Sequence, residues 1–222
     1  MDEAAADRSL WYLALFPGSL FFFAAYTESL FLCLAAGSLW MARKQAWWRA
    51  AVLGAFLGLT RNLGTLILVP LALEWFRQRR QVGVRPSSRS LLWLLLVPTG
   101  VAFWMGWCFW KTGDPLIFVH QQSNWQREQM LPWLTVWKGL EQAWDFSLGY
   151  PGAGYVYEAL AVAGALILSA VGLLRRWISF PLFAFVILMI LPALTAPFEG
   201  RVLMSCVRFV AVLFPVFFVL GR

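Results

Sequence analysis

Charge is scarce in this chain of 222 residues: 13% of them are Asp, Glu, Lys or Arg, and only 11 are acidic. A water-soluble domain of this size carries about a quarter, so the composition excludes an ordinary soluble globular protein. Histidine occurs once, as His120, and cysteine three times, as Cys33, Cys108 and Cys206, each alone within an apolar run. That supply offers neither metal-ligand spacing nor a disulfide framework, and the thiols read as small buried hydrophobes. The opening MDEAAADRS lacks the basic region of a signal peptide, so no cleavable leader is expected. Internal repeats are missing too, and VGVRPSSRS is the sole linker-like stretch.

Apolar residues are abundant, at 61% of the chain with a mean hydropathy of +0.68. The net charge of +7 comes from basic residues in short clusters beside apolar runs. Such clusters are topology signals flanking membrane spans rather than contacts for nucleic acid, and no nucleic-acid partner is expected. The fold class expected is therefore an all-α polytopic membrane protein, with residues 1–222 as a single transmembrane domain.

Runs of suitable length predict spans over Leu20–Trp40 (entered through Leu13–Phe16 ahead of Pro17), Leu91–Trp110, Val156–Leu174, Ile178–Leu194 and Val202–Leu220. The run from Ala46 to Phe76 is broken by Thr60, Arg61, Asn62 and Gly64. Basic residues stand before it (Arg43, Lys44, Arg49) and after it (Arg77, Arg79, Arg80, Arg85, Arg89), which puts both ends on the cytoplasmic side. A hairpin of two short arms, each about 20 Å long, follows. Counting both arms gives about seven helices, with residues 111–152 as an outer loop. In that loop LPWLTVWKGLEQAWDF spaces Leu134, Trp137, Leu140 and Trp144 for an amphipathic helix at the membrane interface.

Within this apolar frame the polar residues form a short list. Glu28 falls inside the first predicted span, near the bilayer midplane, where an acid costs about 2.5–3.5 kcal/mol unless it faces a partner or a wet cavity. It serves either as a buried partner for Arg61 or Arg208 or in a direct functional role. Arg61 and Asn62 mark the hairpin tip, where Arg61 either snorkels or meets a ligand. The loop GDPLIFVHQQSNW adds His120, Gln121, Gln122 and Trp125, and PFEGRVLMSCVRF adds Arg201 and Arg208. Phosphate is an apt ligand for guanidiniums held in an apolar setting. Together these residues predict one outward-facing polar pocket suited to an anionic lipid-phosphate.

Four strings carry a resemblance: LFPGSLFFFAAYTESLFL, GLTRNLGTLILVPL, KTGDPLIFVHQQSNW and SCVRFVAVLFPVFFVL. In this order they resemble segments of PIG-V type mannosyltransferases (GPI mannosyltransferase 2-like) and their bacterial relatives, although the family usually has Arg-Tyr where this chain has Arg208-Phe209. The resemblance covers nearly the whole chain. It implies a GT-C-like helical bundle and an inverting membrane glycosyltransferase that takes a sugar, typically mannose, from a polyprenyl-phosphate donor on the extracytoplasmic face. No cofactor is expected and no ligand cluster argues for a metal; the resemblance puts the protein in the bacterial plasma membrane, or the ER membrane in a eukaryote.

The family carries its acidic catalytic motif in a first outer loop, and this chain begins after that point, so the general base is expected outside the chain. Asp2, Glu3 and Asp7 lack the aromatic context of that motif. Arg201 and Arg208 are then the residues for the donor phosphate, Glu28 orients Arg61 or a sugar hydroxyl, and Gln121, Gln122 and Trp125 shape an outer lid. Two other classes fit the same composition. One is a transporter or flippase for a lipid-linked or anionic solute; the other is a noncatalytic subunit docked on a membrane-protein partner.

Overall fold

The structure, a computed structural model, describes residues 2–81, 86–121, 127–144, 150–198, 200 and 202–222, with the backbone alone at 150–153. Among the described residues the chain is all-helical, in twelve α-helical segments, and a lone bridge between Arg127 and Phe198 is its one β-type pairing.

Helix α1 (Glu3–Leu15) starts where the Asp2 side chain accepts the Ala5 N–H at 2.7 Å, satisfying one of the free donors of a first turn. Pro17 then opens a 3-10 turn over Pro17–Phe22, and α2 follows as Glu28–Arg43. The expected span from Leu20 to Trp40 is thus broken, and Glu28 stands at the first turn of α2 instead of the middle of a helix. Free N–H groups and the positive end of the helix dipole favour a carboxylate there.

Helix α3 (Trp47–Thr60) returns alongside α2, tied by the Ser38 hydroxyl donating to the Ala50 carbonyl at 2.8 Å. Arg61 is extended (φ −155°, ψ 136°), residues Asn62–Ile67 form a 3-10 turn, and α4 (Leu68–Arg79) leads back. Gln78 near the end of α4 donates to the carbonyl of Ala42 near the end of α2, 3.0 Å away. Since α3 begins just after α2 ends, residues 46–76 form a hairpin with Arg61 at its tip and both ends on one side of the bundle.

Helices α5 (Arg89–Trp93) and α6 (Thr99–Thr112), joined through a 3-10 turn at Leu94–Leu96, make a continuous stretch Arg89–Thr112. It ends at Gly113, whose φ of +76° is the left-handed cap glycine adopts without strain. Gly100 on α6 faces the Ala55 carbonyl of α3 so closely that a side chain there would overlap it. Small residues of this kind let helix backbones approach in an apolar medium.

The loop beyond α6 includes the helix expected from its Leu and Trp spacing. It holds α7 (Ile117–His120) and α8 (Pro132–Trp144). On α8 the buried face is made of Thr135, Gly139 and Ala143, at helical spacing, and the Thr135 hydroxyl donates to Leu194 across the bundle at 2.6 Å. Trp133, Trp137, Leu140 and Trp144 lie on the exposed side.

Helix α9 (Tyr150–Leu174) and α10 (Phe180–Thr195) follow. The expected last span, Val202–Leu220, is split into α11 (Cys206–Ala211) and α12 (Phe214–Leu220). Pro215 has no N–H to donate back to Ala211, which interrupts the hydrogen-bond ladder, and it sits in the first turn of α12 where that N–H is not needed. Phe185, Leu57, Ile67, Leu71 and Leu213 are fully buried and define the core. Large apolar side chains also face outward, among them Phe103, Trp110, Leu160, Ile167 and Leu174. Among the described residues two stretches, Arg89–Thr112 and Gly154–Leu174, are long and apolar enough to cross a membrane.

Candidate functional site

Glu28 is fully buried and gathers two arginines from distant parts of the chain. Arg61 Nη2 donates to Glu28 Oε1, and Arg61 Nε donates to the Thr27 hydroxyl at 3.2 Å. Arg208 Nε lies 3.0 Å from the same Oε1, at ion-pair distance but outside hydrogen-bond geometry. Oε2 of Glu28 is buried without a hydrogen-bond partner among the described residues. Two guanidiniums against one carboxylate leave the cluster with one net positive charge.

Aromatic rings wall this cluster. Arg61 stands 5.9 Å from the Phe31 ring and 5.5 Å from Phe209, while Arg208 stands 5.1 Å from Tyr26 and 5.4 Å from Phe209. Phe209 thus serves both cations, and such contacts strengthen where water is excluded. Three local structures deliver these groups: the broken approach to α2, the hairpin tip, and α11. The extended backbone at Arg61 ends α3 and turns the chain at the site.

Helix α11 is itself held by a carboxylate. Glu158 of α9 accepts the Ser205 N–H at 2.9 Å and the Val207 N–H at 2.6 Å, and Ser205 takes a φ of +66°. Sequence reasoning passed over Glu158, yet it is the single charged residue between Val156 and Leu174. An acid alone in an apolar run was the signal that singled out Glu28, and it applied equally here.

Arg127 was missed as well. It packs 4.7 Å over the Phe198 ring, and residues 127–130 pair with 195–198 through Glu128 N–H to Pro197 and Met130 N–H to Thr195. Its pKa is lowered from the ordinary arginine value, first by burial and then by the charge of Arg208. A third cation therefore feels the cluster's field.

Of the residues expected at one site, the structure brings together Glu28, Arg61 and Arg208. Asn62 is exposed and its Oδ1 accepts the Leu63 N–H at 2.9 Å, closing the turn rather than reaching Glu28. His120 is exposed, with Nδ1 2.7 Å from Asp114 Oδ2 in its own turn, and Gln121 is exposed at the end of α7. Gln122, Trp125 and Arg201 lie outside the described residues. Among the described residues the expected gathering of polar groups takes the form of this ion cluster, and five cavities lie elsewhere. Opposite charges in an apolar setting close on one another, because separated they stay desolvated and unpaired.

Among the described residues no group of three His, Cys, Asp or Glu is arranged to hold a metal. Fold and site define, among the described residues, an all-α chain with membrane-length apolar helices and a buried carboxylate facing two partly exposed arginines. No family model, no curated protein and no solved structure matches it.

Proposed function

We propose that this chain is a polytopic membrane protein with a GT-C-like bundle, acting as a membrane glycosyltransferase, mannosyltransferase-like, on a polyprenyl-phosphate sugar donor. The observation that carries this reading is the Glu28–Arg61–Arg208 cluster, contributed by three of the four strings on which the resemblance rests. Its geometry suits an anion. Arg61 is hydrogen-bonded to Oε1 and Arg208 is held against the same oxygen by charge, so both stand together before any ligand arrives, and the surplus positive charge suits a phosphate.

In transfer, the bond from the sugar's anomeric carbon to the phosphate oxygen breaks, and the electron pair leaves with the polyprenyl phosphate. The acceptor hydroxyl forms the new bond and gives up its proton to a general base, which none of this chain's residues is assigned. Arg61 and Arg208 stabilise the charge that grows on the departing phosphate. Glu28 orients both, and its free oxygen accepts a hydrogen bond from a sugar hydroxyl. Basic residues gathered at the opposite end of the bundle, including Arg43, Arg77, Arg79, Arg80 and Arg176, support an orientation with the cluster on the extracytoplasmic face.

The test is transfer from a radiolabelled polyprenyl-phosphate sugar in membranes holding the chain as given, beside a version extended at its N-terminus. Arg208→Leu and Arg61→Leu should each lower turnover at least about a hundredfold, the scale of losing a charge-stabilising donor. Undiminished turnover in folded Arg208→Leu removes the phosphate role. Absence of transfer in both versions, with the cluster needed only for stability, favours the noncatalytic subunit.

A further inference from the structure

At the far end of α2 from Glu28, about 22 Å away at 1.5 Å per residue, two neighbouring cavities share one lining residue. One is an apolar groove of about 410 Å³ between α2, α10 and α12, walled by Gly37, Trp40, Leu182, Phe214 and Phe218. The other is a basic pocket of about 560 Å³ lined by Arg43, Arg77, Arg176, Trp177 and Ser179. Arg43 belongs to both and is tethered by donating to the Ser179 hydroxyl at 3.1 Å.

Charges around the basic pocket do not cancel. Arg77 is engaged by Glu74 through two hydrogen bonds, at 2.9 and 2.6 Å, and Gln78 donates to the same carboxylate. Glu74 binds Arg77 directly and also attracts Arg43, so one carboxylate faces Arg43, Arg77 and Arg176, and positive charge is in excess. Arg176 sits at a φ of +59°, in the turn where the Trp177 N–H returns to the Gly172 carbonyl at 2.8 Å. That is the position of a helix C-cap, usually given to glycine, and here it presents a cation to the pocket's lining.

We infer that these neighbouring cavities, with Arg43 between them, form a binding site for one anionic glycerophospholipid, its phosphate held by Arg43 and Arg176 and its acyl chain in the groove. The complementarity is twofold: the head end offers guanidiniums in excess of carboxylate, for which phosphate is the matching anion, and the tail end offers apolar walls. A zwitterionic lipid brings its own cation into the same pocket and is disfavoured. Basic pockets between helices on the cytoplasmic side hold anionic headgroups for this reason. The inference needs the membrane reading above but neither donor nor catalysis.

The experiment is native mass spectrometry of the full chain purified from bilayers containing phosphatidylglycerol and phosphatidylcholine in equal amounts. One phosphatidylglycerol per chain should be retained in preference to phosphatidylcholine. Arg43→Gln with Arg176→Gln should weaken retention about thirtyfold, the product of two basic contacts near 1 kcal/mol each, and the paired Lys variant should keep most of it. Ala36→Trp, which plugs the groove and leaves the arginines in place, should also lower retention, whereas Arg80→Gln, off the pocket, should not. Inorganic phosphate at millimolar concentration should fail to displace the lipid.

Equal retention of both lipids, or full retention in the folded double Gln and Ala36→Trp variants, overturns the site. Recovery of the chain in the aqueous fraction overturns the membrane reading on which it rests. Loss of sugar transfer touches neither result.

Discussion

Glu28 holds two guanidiniums on one oxygen and leaves the other bare. Deleting the carboxylate leaves like charges facing each other in an apolar wall. Glu28→Ala should therefore cost about 3 kcal/mol, the lower end of the range for breaking a buried pair because both arginines reach partial exposure. Thermal unfolding in detergent measures it, and adding Arg61→Leu should restore part of the loss, a coupling that a double-mutant cycle reads directly. Full additivity of the two would mean that the groups do not interact. Glu28, Arg61 and Arg208 were legible in the sequence because an ion in an apolar run needs a partner. Arg61 and Arg208 were the partners expected for Glu28; that both meet at a single oxygen, across 33 and 180 positions, is decided by packing. Asn62 and His120 were drawn to the same list by polarity alone, and each turned out to satisfy a local turn.

At the scale of elements, the apolar runs announced where helices lie but not where they break. Pro215 and Pro17 were visible, and each coincides with an interruption that hydropathy averages over. The hairpin over residues 46–76 was legible from the basic residues at its two ends, because charge near a span fixes its side. Helix α11 depends on Glu158, so Glu158→Ala should leave the Ser205 and Val207 amides unpartnered, at about 1–3 kcal/mol. Hydrogen exchange at those amides should rise by at least tenfold, and unchanged exchange would show that α11 holds itself.

The turn ahead of α7 responds to pH. The Asp114 carboxyl is held below its ordinary range, first by the Leu116 N–H and then by His120. A depressed carboxyl favours the folded turn at every pH above the ordinary carboxylate value, and that contribution fades as pH drops through the lowered one. Protection of the Leu116 amide should persist from neutral pH to about 4 and decline below. Asp114→Asn should abolish the decline.

For the whole molecule, the arrangement has two ends of different character. Arg80 and Arg175 belong to the basic end, and Gln121 and Lys138 to the end that carries α7 and α8. With Cys33, the exposed native thiol, replaced by Ala, single cysteines at Arg80 and Arg175 should react with an impermeant thiol reagent from one side of a sealed vesicle, and those at Gln121 and Lys138 from the other. Labelling of all four from one side would sink the two-ended topology. Composition made the apolar class readable, whereas the placement of Arg127 over Phe198 required the chain's return from residues 127–130 onto 195–198.

The left-handed corner at Arg176 has a consequence of its own. A side chain in that conformation costs about 1–2 kcal/mol over glycine, so Arg176→Gly should raise the melting temperature while loosening the bound phospholipid. Thermostability and grip on the inner leaflet would then move in opposite directions in one variant, and a selection for heat resistance alone would drift toward a sturdier protein less attached to its surroundings.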